Sequence, residues 1–314
     1  MPVILDRDAA DVLQAARDAG RPPYETLTPP EAREAYLKAR ETTQPDPPVM
    51  QSVKAISLPG PAGALPARIY TPPVVRQTDG MAPGLVYFHG GGWVFGNLDS
   101  HDVVCRTLAQ EAQMIVISVD YRLAPEHKFP AAVDDALAAT RWVADNAVQL
   151  NIDAARLYVG GDSAGGNLAA IVALDARDNG PELAGQLLIY PATDFRQDHP
   201  SHREPETNAL LTHKVMRWFR DHYLNGQDDI DDWRASPARI EDLTRLPPAY
   251  VITAGADPLR DEGDEYARRL ADAGVSVEAR TYPGQFHGFI TMGKILPKAN
   301  TALHEMGEWL KGLG

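Results

Sequence analysis

Leu157-Tyr158-Val159-Gly160-Gly161-Asp162-Ser163-Ala164-Gly165-Gly166 is the stretch on which the fold turns. An apolar run typical of a buried strand meets Gly-x-Ser-x-Gly and passes straight into a helical segment, Ala164 to Ala176. A turn this tight forces Ser163 into a strained conformation and lifts its hydroxyl above the sheet. Gly161 and Gly165 are needed because a Cβ at either position would strike the neighbouring strand or helix. The adjoining helix N-terminus offers free N–H groups and positive potential. A glycine-rich turn with an incidental serine is the bland alternative, but strand–turn–helix context favours a nucleophile.

The same punctuation recurs on both sides. Val53 to Leu58 and Ala67 to Thr71 read as an opening hairpin. Leu85 to Phe88, Ile115 to Ile117, Leu157 to Val159 and Leu187 to Ile189 are near-continuous apolar runs, as in a parallel sheet covered on both faces. Tyr250 to Thr253 and Val277 to Tyr282 add two strands, with helical stretches at Ala131 to Asn146 and Glu262 to Ala273. The alternation predicts an α/β fold with a mostly parallel, doubly wound sheet over residues 51–314. Residues 1–50 differ. They hold a helical stretch at Asp11 to Arg17 and a capping box, Thr28-Pro29-Pro30-Glu31, that opens a helix through Arg40. Gln44-Pro45-Asp46-Pro47-Pro48 then reads as a linker. Residues 195–240 interrupt the alternation with a polar segment and one amphipathic piece, Lys214 to Tyr223. They are expected to form a helical insertion that joins residues 1–50 in a helical cap.

Composition limits the function classes. The 314 residues carry 30 Lys+Arg against 43 Asp+Glu, a net charge of −13 that disfavours nucleic acid and membrane surfaces as partners. Cys105, the sole cysteine, excludes an intrachain disulfide and reads as a small buried hydrophobe. With no signal-peptide pattern at Met1 to Asp6 and no membrane-length apolar run, a cytoplasmic location is expected.

A serine nucleophile needs oxyanion donors, a base and an acid. His89-Gly90-Gly91-Gly92-Trp93 follows the Leu85 strand, and its glycines let N–H groups turn inward. No Walker pattern supports a phosphate loop there. Among nine histidines, His287 follows the last predicted strand, the place a base occupies in hydrolases of this architecture. His89 reads as structural at the base of the glycine loop, while His101, His127 and His304 fall in or near helices. His199 to His202 lacks a zinc pattern, and Asp228 to Asp232 lacks that of an EF-hand, so no metal site is expected. For the acid, Asp257 and Asp194 both follow strands; order and spacing favour Asp257.

His89 to Trp93, Asp120-Tyr121-Arg122-Leu123-Ala124-Pro125-Glu126, Gly161 to Gly166, Asp257-Pro258-Leu259 and His287-Gly288-Phe289 occur in this order. Together they resemble the hormone-sensitive-lipase family of bacterial esterases, from about residue 53 to the end. The resemblance implies an α/β-hydrolase fold with a cap, a triad of Ser163, Asp257 and His287, and an oxyanion hole from the N–H groups of Gly91, Gly92 and Ala164. It implies hydrolysis of short-to-medium acyl esters without cofactor, and it leaves a homodimer open. Trp93 and Tyr190 are expected at the substrate pocket. The same machinery could serve an amidase or formamidase. A receptor on this fold would be expected to lose the catalytic histidine, whereas His287 is present.

Overall fold

The computed structural model describes residues 3–204 and 210–313. The chain begins with helices α1 (Arg7–Asp18) and α2 (Pro29–Thr43), then the hairpin β1 (Ser52–Gly60) and β2 (Gly63–Thr71). There follow β3 (Ala82–Phe88), α3 (Asp102–Ala112), β4 (Ile115–Val119), α4 (Ala131–Asp145), β5 (Ile152–Asp162) and α5 (Ala164–Asn179). The last part holds β6 (Gly185–Ile189), α6 (His213–Tyr223), β7 (Ala249–Ala256), α7 (Arg260–Asp272), β8 (Val277–Phe286) and α8 (Pro297–Gly312).

One sheet forms in the order β1-β2-β4-β3-β5-β6-β7-β8. The first three pair antiparallel and the rest parallel. Every side chain of β3 is buried, and their alternation sets the layers. Leu85 and Tyr87 join α3 and α8 in one apolar cluster, whereas Val86 and Phe88 join α4, α5 and α7 in the other. Two covered faces leave no place for a polar stripe, which is why these strands read as continuous apolar runs. The chain leaves β3 toward β4 on one side and returns to β5 on the other. That reversal opens a crevice beyond the strands' C-terminal ends.

Residues 1–50 contain α1, α2 and a short 3-10 turn. Glu31 makes the reach expected of the capping box: its carboxylate accepts from the Thr28 N–H at 2.9 Å and from its hydroxyl at 2.6 Å. Helix α2 runs three residues beyond Arg40 and stops where Gln44 precedes Pro45, a position that disfavours helix. The interval 195–240 is less helical than expected. Among its described residues α6 is the only α-helix, and residues 205–209 lie outside the described set. Elsewhere acidic side chains compete for backbone donors: Asp229 accepts from the Asn225 N–H and Asp232 from the Arg234 N–H, giving turns. Within the acidic cluster, Asp231 also pairs with Arg196 and Asp232 with Arg234.

Helix α2 is pinned by Arg33. Its guanidinium donates to the carbonyls of Val94 (2.8 Å) and Ala124 (2.9 Å) and grips both Glu126 oxygens at 2.9 and 2.6 Å. The grip holds the Glu126 carboxyl down to about 2. Arg33→Ala is expected to cost about 2 kcal/mol, since two carbonyls and a carboxylate lose a charged donor. Thermal denaturation should show a drop of a few degrees, only partly restored by Arg33→Lys, which lacks the fork. An unchanged melting temperature would mean that α2 is held elsewhere.

A buried polar cluster underlies the loop after β3. The Asp162 carboxylate accepts from the Tyr87 hydroxyl (2.8 Å) and the Gly90 N–H (2.9 Å), with His101 Nε2 at 3.2 Å. Burial works to raise its pKa, but His101 and Tyr87 overcome this and hold it at about 2. His89 donates from Nδ1 to the Gly90 carbonyl at 2.9 Å and stacks on Tyr121 at 4.3 Å. Burial, reinforced by His101, lowers His89 to about 3, so it stays neutral in the fold. The unfolded chain binds the His89 proton near 6.5 and the folded chain does not, so its contribution to stability is complete above 6.5. It is lost progressively as pH falls from 6.5 toward 3. Asp120, 4.0 Å from His89 and raised to about 6 by burial and Asp99, acts with the opposite sign below that pH. Melting temperatures measured across pH should therefore fall less steeply in His89→Gln than in the wild type. Parallel curves would rule out His89 as a source of acid lability.

Candidate active site

Successive strand ends deliver the site. Ser163 directly follows β5, Asp257 follows β7, His287 follows β8, and the loop His89–Gly92 follows β3. Ser163 has φ 56° and ψ −115°, a conformation costing on the order of 1–3 kcal/mol for a residue with a Cβ. Its N–H donates to the Ile189 carbonyl at 2.8 Å, and its carbonyl accepts from the Asn167 N–H at 3.0 Å, so both sides of the turn are held. A Cβ at Gly161 or Gly165 would run into the Phe88 carbonyl, because the elbow lies directly against the end of β3.

Three predicted residues meet. Ser163 Oγ lies 2.9 Å from His287 Nε2, and His287 Nδ1 lies 2.7 Å from Asp257 Oδ2. The other Asp257 oxygen accepts from the Leu259 N–H at 2.8 Å. The carboxylate therefore accepts a hydrogen bond from Nδ1–H, which keeps the proton on Nδ1 and leaves Nε2 free to accept from the serine hydroxyl. Asp194 is engaged elsewhere: it accepts from the Arg196 N–H at 2.9 Å and lies 3.9 Å from Arg239.

Gly91 and Gly92 have φ of 126° and 59°, which turns the loop inward beside the elbow. A Cβ at Gly91 would meet the Phe95 carbonyl and one at Gly92 the Phe219 ring, so glycine is required at both. Among the described residues, the amides of Gly91, Gly92 and Ala164 have no hydrogen-bond acceptor. Ala164 is also the first residue of α5, where the helix dipole adds positive potential.

A cavity of about 1170 Å³ opens onto Ser163, His287, Gly91, Gly92 and Trp93. Helices α1, α2 and α6 supply its outer walls, with Tyr36, Val215, Met216 and Phe219 among the apolar lining. Tyr190 departs from expectation. It is fully buried, absent from the cavity wall, and packs its ring against the His287 imidazole at 4.7 Å and Phe289 at 5.9 Å. The turn at β6 places it behind the His287 imidazole, in the apolar layer of α3 and α8.

The remaining histidines serve structure or face solvent. His101 holds Asp162, and buried His202 lies 2.9 Å from buried Glu262. His304 pairs with Glu111, and His127 is exposed. Cys105 is buried, and burial pushes its thiol up, away from reactivity. No group of three or more His, Cys, Asp or Glu among the described residues could hold a metal ion, and none of their helices is long and apolar enough to cross a membrane. Two wall residues escape the motif reading. Asp162 sits inside the serine motif, where its strand-end burial beside the next loop was the available signal. Arg40 continues the buried stripe Ala32, Tyr36, Arg40 at helical spacing.

Comparison with known proteins agrees with this geometry. Residues 85–291 match the model of a family with the α/β-hydrolase fold. Esterase LipI of Mycobacterium tuberculosis is 46% identical over 271 residues, covering 85% of this chain and 84% of its own. An ethyl acetate hydrolase of Pseudomonas putida is 41% identical across 95% of this chain and 96% of its own. An ester hydrolase from the metagenome of Lake Arreo superposes with a TM-score of 0.94 at 42% identity, covering 98% of this chain and 99% of that one. With the fold, the motif order and these relatives in agreement, the chain belongs to the hormone-sensitive-lipase family of bacterial esterases and is a carboxylic-ester hydrolase.

Proposed function

We propose that this hydrolase cleaves esters of short-to-medium acyl chains through a covalent acyl-enzyme formed on Ser163. The observation that carries the reading is the unbroken line from Ser163 Oγ to His287 (2.9 Å) and from His287 to Asp257 (2.7 Å). His287 Nε2 takes the hydroxyl proton as Oγ attacks the ester carbonyl, and Asp257 holds the tautomer and stabilises the imidazolium. The developing oxyanion receives the amides of Gly91, Gly92 and Ala164, placed in advance by two positive-φ glycines and a helix N-terminus. His287 returns the proton to the leaving alcohol. Water, activated by the same base, then releases the acid. Residues 1–50 and the 195–240 segment act as the cap.

Chain-length preference is assigned to the aromatic wall beyond the glycine loop. Trp93 stacks on Tyr223 at 4.5 Å and meets Phe195 at 5.0 Å, while the Phe219 ring abuts Gly92. Rigid rings there limit acyl depth.

Ser163→Ala should abolish turnover with the melting curve retained, and a phosphonate probe should label Ser163 alone; residual full turnover or labelling elsewhere defeats the assignment. Asp257→Asn should lower kcat severely, as the equivalent change does by on the order of 10⁴ in a serine protease, while Asp194→Asn costs far less. The reverse ranking would move the acid to Asp194. Phe219→Ala should shift the preference among p-nitrophenyl esters toward longer chains, and an unmoved profile would remove the wall from the specificity argument.

A further inference from the structure

The inner face of α2 carries a cation with no anion. Arg40 lines the same cavity as Ser163 and His287, yet only 8% of its surface is exposed. Its Nε has no hydrogen-bond partner, and among the described residues no carboxylate lies within 4.0 Å of it. Of the carboxylates that share the cavity, Asp162 meets His101, Glu262 meets His202, Asp194 lies near Arg239, Asp8 accepts from the Ala9 N–H and Asp11 lies near Arg7. Glu25, one of whose oxygens is buried without a hydrogen-bond partner, makes no ion pair with Arg40. What Arg40 does have is neutral tyrosine: the Tyr36 ring lies 4.2 Å below the guanidinium carbon, and the Tyr36 hydroxyl also engages the guanidinium, leaving Nε unpartnered. Burial raises the phenols of both Tyr36 and Tyr24, so neither supplies a negative charge.

This arrangement differs from that of Arg33 on the same helix, which spends its fork on Glu126 and two carbonyls. Stacking on an aromatic face fixes the plane of a guanidinium but leaves its in-plane N–H donors free. A buried charge without a counter-ion is unfavourable in the empty enzyme and becomes favourable when a ligand brings the anion. The planar fork matches a carboxylate.

Building on the ester-hydrolase mechanism above, we infer that Arg40 is a specificity residue for esters that bear a free carboxylate, whose anionic end docks on the Arg40 guanidinium while the ester bond meets Ser163. The reacting bond is the same as in a neutral ester; the second group of the substrate supplies the counter-ion that Arg40 lacks.

The test uses neutral isosteres in which a methyl ketone replaces the carboxylate. Monoethyl succinate is compared with ethyl levulinate for a charge on the acyl side, and 3-acetoxypropionate with 4-acetoxy-2-butanone for the alcohol side. In one pair, the acid-to-neutral ratio of kcat/KM should fall at least tenfold on Arg40→Met, through KM, and recover in part in Arg40→Lys. The melting temperature of Arg40→Met should match or exceed that of the wild type, because an uncompensated charge has been removed. Ratios untouched in both pairs overturn the assignment. Equal losses on both members of each pair, with a lowered melting temperature, make Arg40 a packing residue of α2 and overturn it as well. Wild-type turnover of the neutral esters reports on the ester-hydrolase mechanism separately, so either reading can fail alone.

Discussion

The Asp162 carboxylate, buried at the end of β5, ties together the two loops from which the site is built. Through the Gly90 N–H at 2.9 Å it holds the glycine loop after β3, and through the backbone it is the immediate neighbour of Ser163. A carboxylate in such a place would be costly without partners, and three groups, Tyr87, Gly90 and His101, meet it. The result is a fixed distance between the proposed nucleophile and the proposed oxyanion donors, set from beneath by a polar cluster with neutral His89 beside it.

Steric demands act in the same direction. Gly161 and Gly165 let β5 and α5 close onto the Phe88 carbonyl, and Gly91 and Gly92 let the facing loop turn inward. The strain stored at Ser163 is tolerable because its N–H and carbonyl are hydrogen-bonded and the glycines leave room for the turn. Local conformation, packing and electrostatics therefore converge on one small volume at the sheet's topological reversal.

The outer half of the cavity follows other rules. α1, α2 and α6 contribute walls whose side chains vary from apolar to charged, and the Arg33 fork is one of the contacts that attach them to the core. Chemistry is assigned to the rigid strand ends, and selectivity to these helices. The proposed roles of Phe219 and Arg40 both lie on this outer layer, one setting depth and the other charge.

Much of the core was legible in the sequence because it depends on short-range constraints. Gly-x-Ser-x-Gly between a strand and a helix admits one backbone path, and continuous apolar runs admit only a sheet covered on both faces. Ser163, His287 and the glycine loop could be named for that reason. The choice between Asp257 and Asp194 could not be closed from order alone, since both follow strands; the 2.7 Å contact between His287 and Asp257 depends on how β7 and β8 pair. Tyr190 was expected at the pocket, but the path of the turn after β6 puts its ring behind the imidazole. The 195–240 segment looked more helical than it is, because side-chain carboxylates capture backbone N–H groups that a helix would use. Arg40 was the least legible. Helical spacing puts it on the inner face of α2, but whether a buried arginine finds a carboxylate or faces an empty cavity is decided only when distant segments pack.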